Sequence, residues 1–124
     1  MALEDILLDD GASTPVEHTF TYIGTQNGRV IRSDMSAAAE QPLTLSIGHM
    51  SKKVGGKTVR SHLTRVDKTV LDTDGITPYT TNIRLMADVH DCVRSDALAD
   101  DLAAFIRNWA SSANVRAWLK DSVG

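Results

Sequence analysis

Four histidines, one cysteine and a pair of adjacent aspartates are the side chains of this 124-residue chain best suited to chemistry. His18, His49, His62 and His90 are potential metal ligands, yet no two share an element at ligand spacing. His49 and His62 fall on neighbouring predicted strands, where they could approach each other. Asp100 and Asp101 are consecutive on a predicted helix and point in different directions, so they are no acid/base pair. Cys92 has no evident base partner and reads as a passive thiol. As a single cysteine it excludes an internal disulfide framework and a cysteine-built metal site. Gly55-Gly56-Lys57-Thr58 ends like a phosphate loop, but the first glycine and its spacing are missing and a β-hairpin turn is the better reading. No catalytic constellation emerges, so no enzyme activity, cofactor or metal is expected.

Binding is the remaining chemistry, and charge localises it. The chain carries 13 basic and 16 acidic residues, a net charge of −3. Residues 1–28 hold five acids and no base, whereas residues 29–70 hold eight bases against three acids. Residues 71–124 return to an acidic balance, with five bases and eight acids. The middle third is thus the part attractive to a polyanion, unless its charges are scattered over a solvated sheet surface. With 42 % hydrophobic residues the chain is too apolar for disorder and has the composition of one soluble globular domain. No apolar run reaches the roughly 18 residues of a membrane helix. The acidic stretch Met1 to Asp10 resembles neither a signal nor a transit peptide, so no membrane partner is expected.

The elements that must position these charges are mostly strands. Ile6-Leu7-Leu8 and the turn after it lead into Pro15 to Ile23, where Val16, His18, Phe20 and Tyr22 alternate with Glu17, Thr19 and Thr21. Period two with this composition is a half-buried strand, and the two segments form a hairpin. Asn27-Gly28 signals a turn before a short strand, Arg29 to Ser33. Asp34 to Gln41 reads as a loop. Pro42 to Met50 alternates Leu43, Leu45 and Ile47 against Thr44, Ser46 and Gly48, and Ser51 to Gly56 reads as a hairpin loop. Lys57 to Leu71 is about twice the usual strand length, which suggests a bend or a break near Asp67. After a loop at residues 72–78, Tyr79 to Val89 is the last strand.

The period then changes to 3.6. Ser95 or Asp96 can cap a helix whose stripe is Leu98, Leu102, Phe105, Ile106 and Trp109. Asn114 can cap a second, shorter helix with Val115, Trp118 and Leu119 on one face. The class is α+β: an antiparallel sheet of about five strands followed by two helices. An isolated helix this short is marginal in water. Either both helices cover their own sheet, or each chain's helices lie across a two-fold partner.

The order of elements, with ILLDDGASTPVEHTFTYI, NGRVIRS, QPLTLSIGHMSKKVGGKTVRSHLTRV, the DTDGITP loop and TNIRLMADVHD, resembles the coat proteins of single-stranded RNA bacteriophages, the leviviruses. The resemblance covers nearly the whole chain. It implies an intertwined homodimer in which Leu98, Leu102, Phe105, Ile106, Trp109, Trp118 and Leu119 face the partner. It implies an icosahedral capsid around genomic RNA, assembled in the bacterial cytoplasm, with a maturation protein as a further virion partner. The loop Asp72, Thr73, Asp74, Gly75, Ile76, Thr77 and Pro78 would meet its copies between dimers. The inner sheet face would bind RNA, including a hairpin whose capture represses translation. With helices covering Leu43, Leu45, Ile47, Val59, Leu63, Ile83, Leu85 and Val89, the RNA face is expected to present Thr44, Ser46, Arg60, His62, Thr64, Asn82, Arg84 and Met86. Lys52, Lys53 and Lys57 would flank it. Gly48 and Met50 depart from the polar pattern, and the family's base-stacking tyrosine has no clear match, which favours general RNA packaging over base-specific recognition. A soluble dimeric RNA-binding regulator that builds no shell is the alternative.

Overall fold

A computed structural model describes residues 4–122. The first three residues of the acidic N-terminal stretch lie outside them. The chain divides into two compact units, residues 1–89 and 90–124.

The first unit is a six-stranded sheet in sequence order, β1 (Ile6–Asp9), β2 (Glu17–Gln26), β3 (Arg29–Asp34), β4 (Leu43–Val54), β5 (Lys57–Leu71) and β6 (Pro78–His90). Each of the first four pairings is antiparallel. Two tight turns set the central register. Asn27 and Gly28, and likewise Gly55 and Gly56, take the paired positive φ angles of a two-residue hairpin turn. The second turn is shorter than the loop expected at residues 51–56, because β4 continues through Lys52 and Lys53 to Val54. Strand β5 is unbroken over 15 residues, without the interruption anticipated near Asp67. Two side-chain bonds join it to β6. Thr69 bonds Thr80, and eight residues back along β5 and forward along β6, Ser61 donates to Asp88. A register shift between Tyr22 and Gly24 marks a bulge in β2.

Directly opposed residues of an antiparallel pair share a face. One face therefore carries Phe20, Leu45, Ile47 and Val66, with Ile83 and Leu85 from β6. On it Phe20 and Leu45 are buried, while Ile83 and Leu85 are 43 % and 52 % exposed. This pairing corrects the expected division of β5. Val59 and Leu63 stand opposite Lys52 and Gly48, on the same face as Thr44 and Ser46, and Val66 is the residue beside Leu45.

The second unit holds a short 3-10 turn (Asp91–Val93) and helices α1 (Asp96–Trp109) and α2 (Ser112–Asp121). Ser95 caps α1 by accepting from the Leu98 N–H. Ser111, not Asn114, caps α2. Asn114 lies inside that helix and donates from Nδ2 to the Trp109 carbonyl at 2.6 Å. Trp109 and Trp118 meet edge to face with ring centres 5.9 Å apart. No residue of either helix is buried, and Phe105 is 69 % exposed. No helix among the described residues is long and apolar enough to cross a membrane.

Candidate nucleic-acid interface

The polar face of the sheet is built by register. Thr44 opposes Asp67, Ser46 opposes Arg65, Gly48 opposes Leu63 and Met50 opposes Ser61. Lys52 and Lys57 occupy the same face toward the Gly55-Gly56 turn. From β6, Asn82, Arg84 and Met86 join them, because they alternate in step with Thr80 and Asp88. On β3, Arg29 opposes Gly48 and Ser33 opposes Thr44, which puts both on this face. Across β3 to β6 it thus presents five cations (Arg29, Lys52, Lys57, Arg65, Arg84) against two carboxylates, Asp67 and Asp88.

Four of the residues expected here lie elsewhere. Arg60, His62, Thr64 and Lys53 oppose Ser51, His49, Ile47 and Thr58, all on the opposite face. A strand's side chains alternate strictly, so an error of one residue in pairing moves a whole set to the wrong side. The loop expected over residues 51–56 left that register open, and the two-residue turn closes it.

The interface gains Arg29. An ideal Cβ built on Gly48 would lie 2.9 Å from the Cγ of Arg29, so the missing side chain lets the arginine stem lie across β4. Gly48 thus marks a cationic site, although in sequence it looked like a gap in the polar pattern. A glycine inside an alternating strand was the signal that could have found it. The stem borders an open cleft of about 180 Å³, lined also by Asn27, Met50, Ser61, Leu63 and Met86. Arg65 Nε donates to Asp67 at 3.0 Å, which partly neutralises that cation. Among the described residues Arg29, Lys52, Lys57 and Arg84 have no carboxylate partner.

A second cluster lies toward β1. His18 on β2 reaches two carboxylates, Asp34 Oδ2 at 2.6 Å from Nδ1 and Asp10 Oδ2 at 3.0 Å from Nε2. Asp34 is buried, and its other oxygen accepts from the Ser36 N–H and hydroxyl. These bonds raise the histidine pKa above its ordinary 6.5, Asp34 contributing most. Asp34 is itself held low, chiefly by the Ser36 hydroxyl and then by His18. Asp10 drops to about 2 through the Val16 N–H, His18 and the Ala12 N–H. The arrangement has a histidine between two acids but no nucleophile aimed at the ring, and it reads as a clamp fixing the N-terminal hairpin to β3.

The loop from Asp72 to Pro78 is closed by its own bonds. The Asp72 N–H donates to the Thr77 carbonyl at 2.8 Å. Asp74 accepts from the N–H groups of Ile76 and Thr77 and from the Thr77 hydroxyl, which hold its carboxyl below the ordinary value. Ile76 at its tip is 79 % exposed. Cys92 is an exposed free thiol. No group of three or more metal-ligating side chains occurs among the described residues.

No protein-family model matches the sequence, and no curated protein does. Solved structures do match. The virus-like particle of bacteriophage ESE058 superposes with a TM-score of 0.75 at 18 % identity, over 98 % of this chain and 96 % of that one. The virus-like particle of bacteriophage NT-214 gives 0.69 at 22 % identity over the same shares. The capsid protein of bacteriophage GA gives 0.61 at 12 % identity, again over 98 % and 96 %. The chain has the fold of these phage coat proteins over nearly its whole length.

Proposed function

We propose that this chain is a coat-protein subunit that pairs with a second copy and assembles into a shell around single-stranded RNA. The observation that carries the reading is the shared fold, which spans nearly the full length of both this chain and the phage capsid proteins. Exposed apolar side chains support pairing. Leu102, Phe105, Ile106, Trp109, Trp118 and Leu119 on the helices are each 45–69 % exposed, as are Leu85 and Tyr79 on the last strand. Exposed apolar area of this kind is what an obligate interface covers.

RNA lies against the polar face, where Arg29, Lys52, Lys57, Arg65 and Arg84 neutralise phosphates and Thr44, Ser46, Ser61 and Asn82 bond sugars and bases. Repetition over many subunits makes weak contacts sufficient, because all act on one polymer. The closed loop Asp72 to Pro78 serves as a contact between dimers. Capture of one RNA hairpin as a translational repressor, and a maturation protein in the same virion, extend the reading. Assembly takes place in the bacterial cytoplasm.

Expression of the full chain, followed by size exclusion and electron microscopy, tests the proposal. Uniform shells containing host RNA are expected. A dimer that binds RNA but never forms particles at any concentration would instead identify a soluble regulator. Deleting Thr73 to Ile76 sharpens the distinction: shells should change or fail, while a regulator should still bind RNA.

A further inference from the structure

The polar face of the sheet excludes His49 and also His62, one of the residues expected on it, and their own arrangement points to another ligand. They are directly opposed across β4 and β5, on the face opposite Arg29 and Arg84. Their Nδ1 atoms stand 2.7 Å apart, and the rings meet edge to face with centres 5.0 Å apart. The pair sits at a boundary on that face. Ile47 and Thr64 precede it toward the buried Leu45, and Ser51 and Arg60 follow it toward the turn.

Two like nitrogens at this separation must share one proton: one ring donates from Nδ1 and the other accepts. Among the described residues no carboxylate is bonded to either ring. Two convergent imidazole nitrogens on rigid, paired strands also form a bidentate chelate. Imidazole suits zinc, copper and nickel, with bonds of about 2.0–2.1 Å. Bonds of that length, meeting at about 90–110°, need roughly 2.9–3.4 Å between the nitrogens. Each ring therefore shifts by a few tenths of an ångström and also turns, because its Nδ1 lone pair must leave the N···N line by roughly 35–45° to meet the ion. The donor ring moves its proton from Nδ1 to Nε2, and both Nδ1 lone pairs then face the ion. No proton is lost overall.

We propose that His49 and His62 form a two-histidine site for a divalent transition metal, with water in the remaining positions. The ion would cross-link β4 to β5 on the face away from the polar cations. The proposal is independent of RNA binding and of shell formation.

Nickel titration of the purified full chain by calorimetry tests it, with copper as a spectroscopic probe. One Ni²⁺ per chain is expected. His49→Gln and His62→Gln should each weaken binding by about 10-fold or more, since loss of a ligand costs no less than loss of an outer-shell partner. His90→Gln should leave binding unchanged. Bound Cu²⁺ should show two histidine nitrogens by electron paramagnetic resonance in the parent and one in either variant. His49 is exposed and His62 half-buried, and glutamine is polar and of similar size, so circular dichroism should find each variant folded. Unchanged nickel affinity in both variants, or the same copper nitrogen count as the parent, overturns the site.

Discussion

The placement of Arg29 across Gly48 yields a sharp prediction, because a methyl group at position 48 should act at a distance on RNA. In Gly48→Ala the new Cβ lies 2.9 Å from Arg29 Cγ, too close, while its contacts with Arg29 Cβ and the Gly28 carbonyl oxygen are ordinary at 3.7 Å. The yielding group is the arginine side chain, which can rotate off the strand. Gly48 has no positive φ, so alanine suits its backbone. Alanine also restricts the unfolded chain, so stability should hold or rise by up to about 1 kcal/mol. RNA binding should suffer. Each phosphate contact to a single strand contributes about 0.7 to the slope of log affinity against log salt. Displacing Arg29 removes up to that much, which over a fourfold change in salt is roughly 2.6-fold in affinity. Fluorescence anisotropy with a short single-stranded RNA, repeated from 50 to 200 mM salt, measures the slope. Arg29→Ala should match or exceed the loss, and the double variant should lose no more than Arg29→Ala alone. Parental slopes in both single variants, or losses that simply add, would refute the geometry.

The His18 clamp makes stability depend on pH from both sides. The raised histidine pKa stabilises the fold fully below 6.5, and this contribution disappears as pH rises through the folded value; the lowered Asp10 and Asp34 values stabilise it above about 3.8, and this is lost as pH falls through their folded values, which for Asp10 is about 2. The melting temperature should therefore be highest between those limits, and His18→Gln should flatten the decline above pH 6.5; an unchanged decline would disprove the clamp. Leu45→Ala, at a side chain only 3 % exposed, should cost about 2–5 kcal/mol in chemical denaturation. Trp118→Ala removes the partner of Trp109 and an exposed apolar surface, so sedimentation should show a weaker dimer. Arg84→Ala should lower the salt slope of RNA binding by up to about 0.7, whereas Arg60→Ala, on the other face, should leave it unchanged.

Much of this fold is written in local periodicity. Val16, His18, Phe20 and Tyr22 alternate as a strand must, Leu98 to Trp109 repeat as a helix must, and Ser95 is a cap at the chemically expected place. These signals involve neighbours in the chain, so side-chain chemistry and backbone geometry suffice to read them. They carried the α+β class and the order of elements, while the count of charged side chains alone carried the basic character of the middle third. Alternation alone, however, says that Arg60 and Ser61 point to opposite sides without saying which side meets Ser46. That depends on pairing between strands, and the Gly55-Gly56 turn resolves it in favour of Ser61 and Arg65. The same holds for Arg29, whose stem rests on a glycine 19 residues away, and for His18, held by Asp10 and the distant Asp34. Such contacts arise only when strands fix their register, because one residue of slip exchanges the two faces of the sheet.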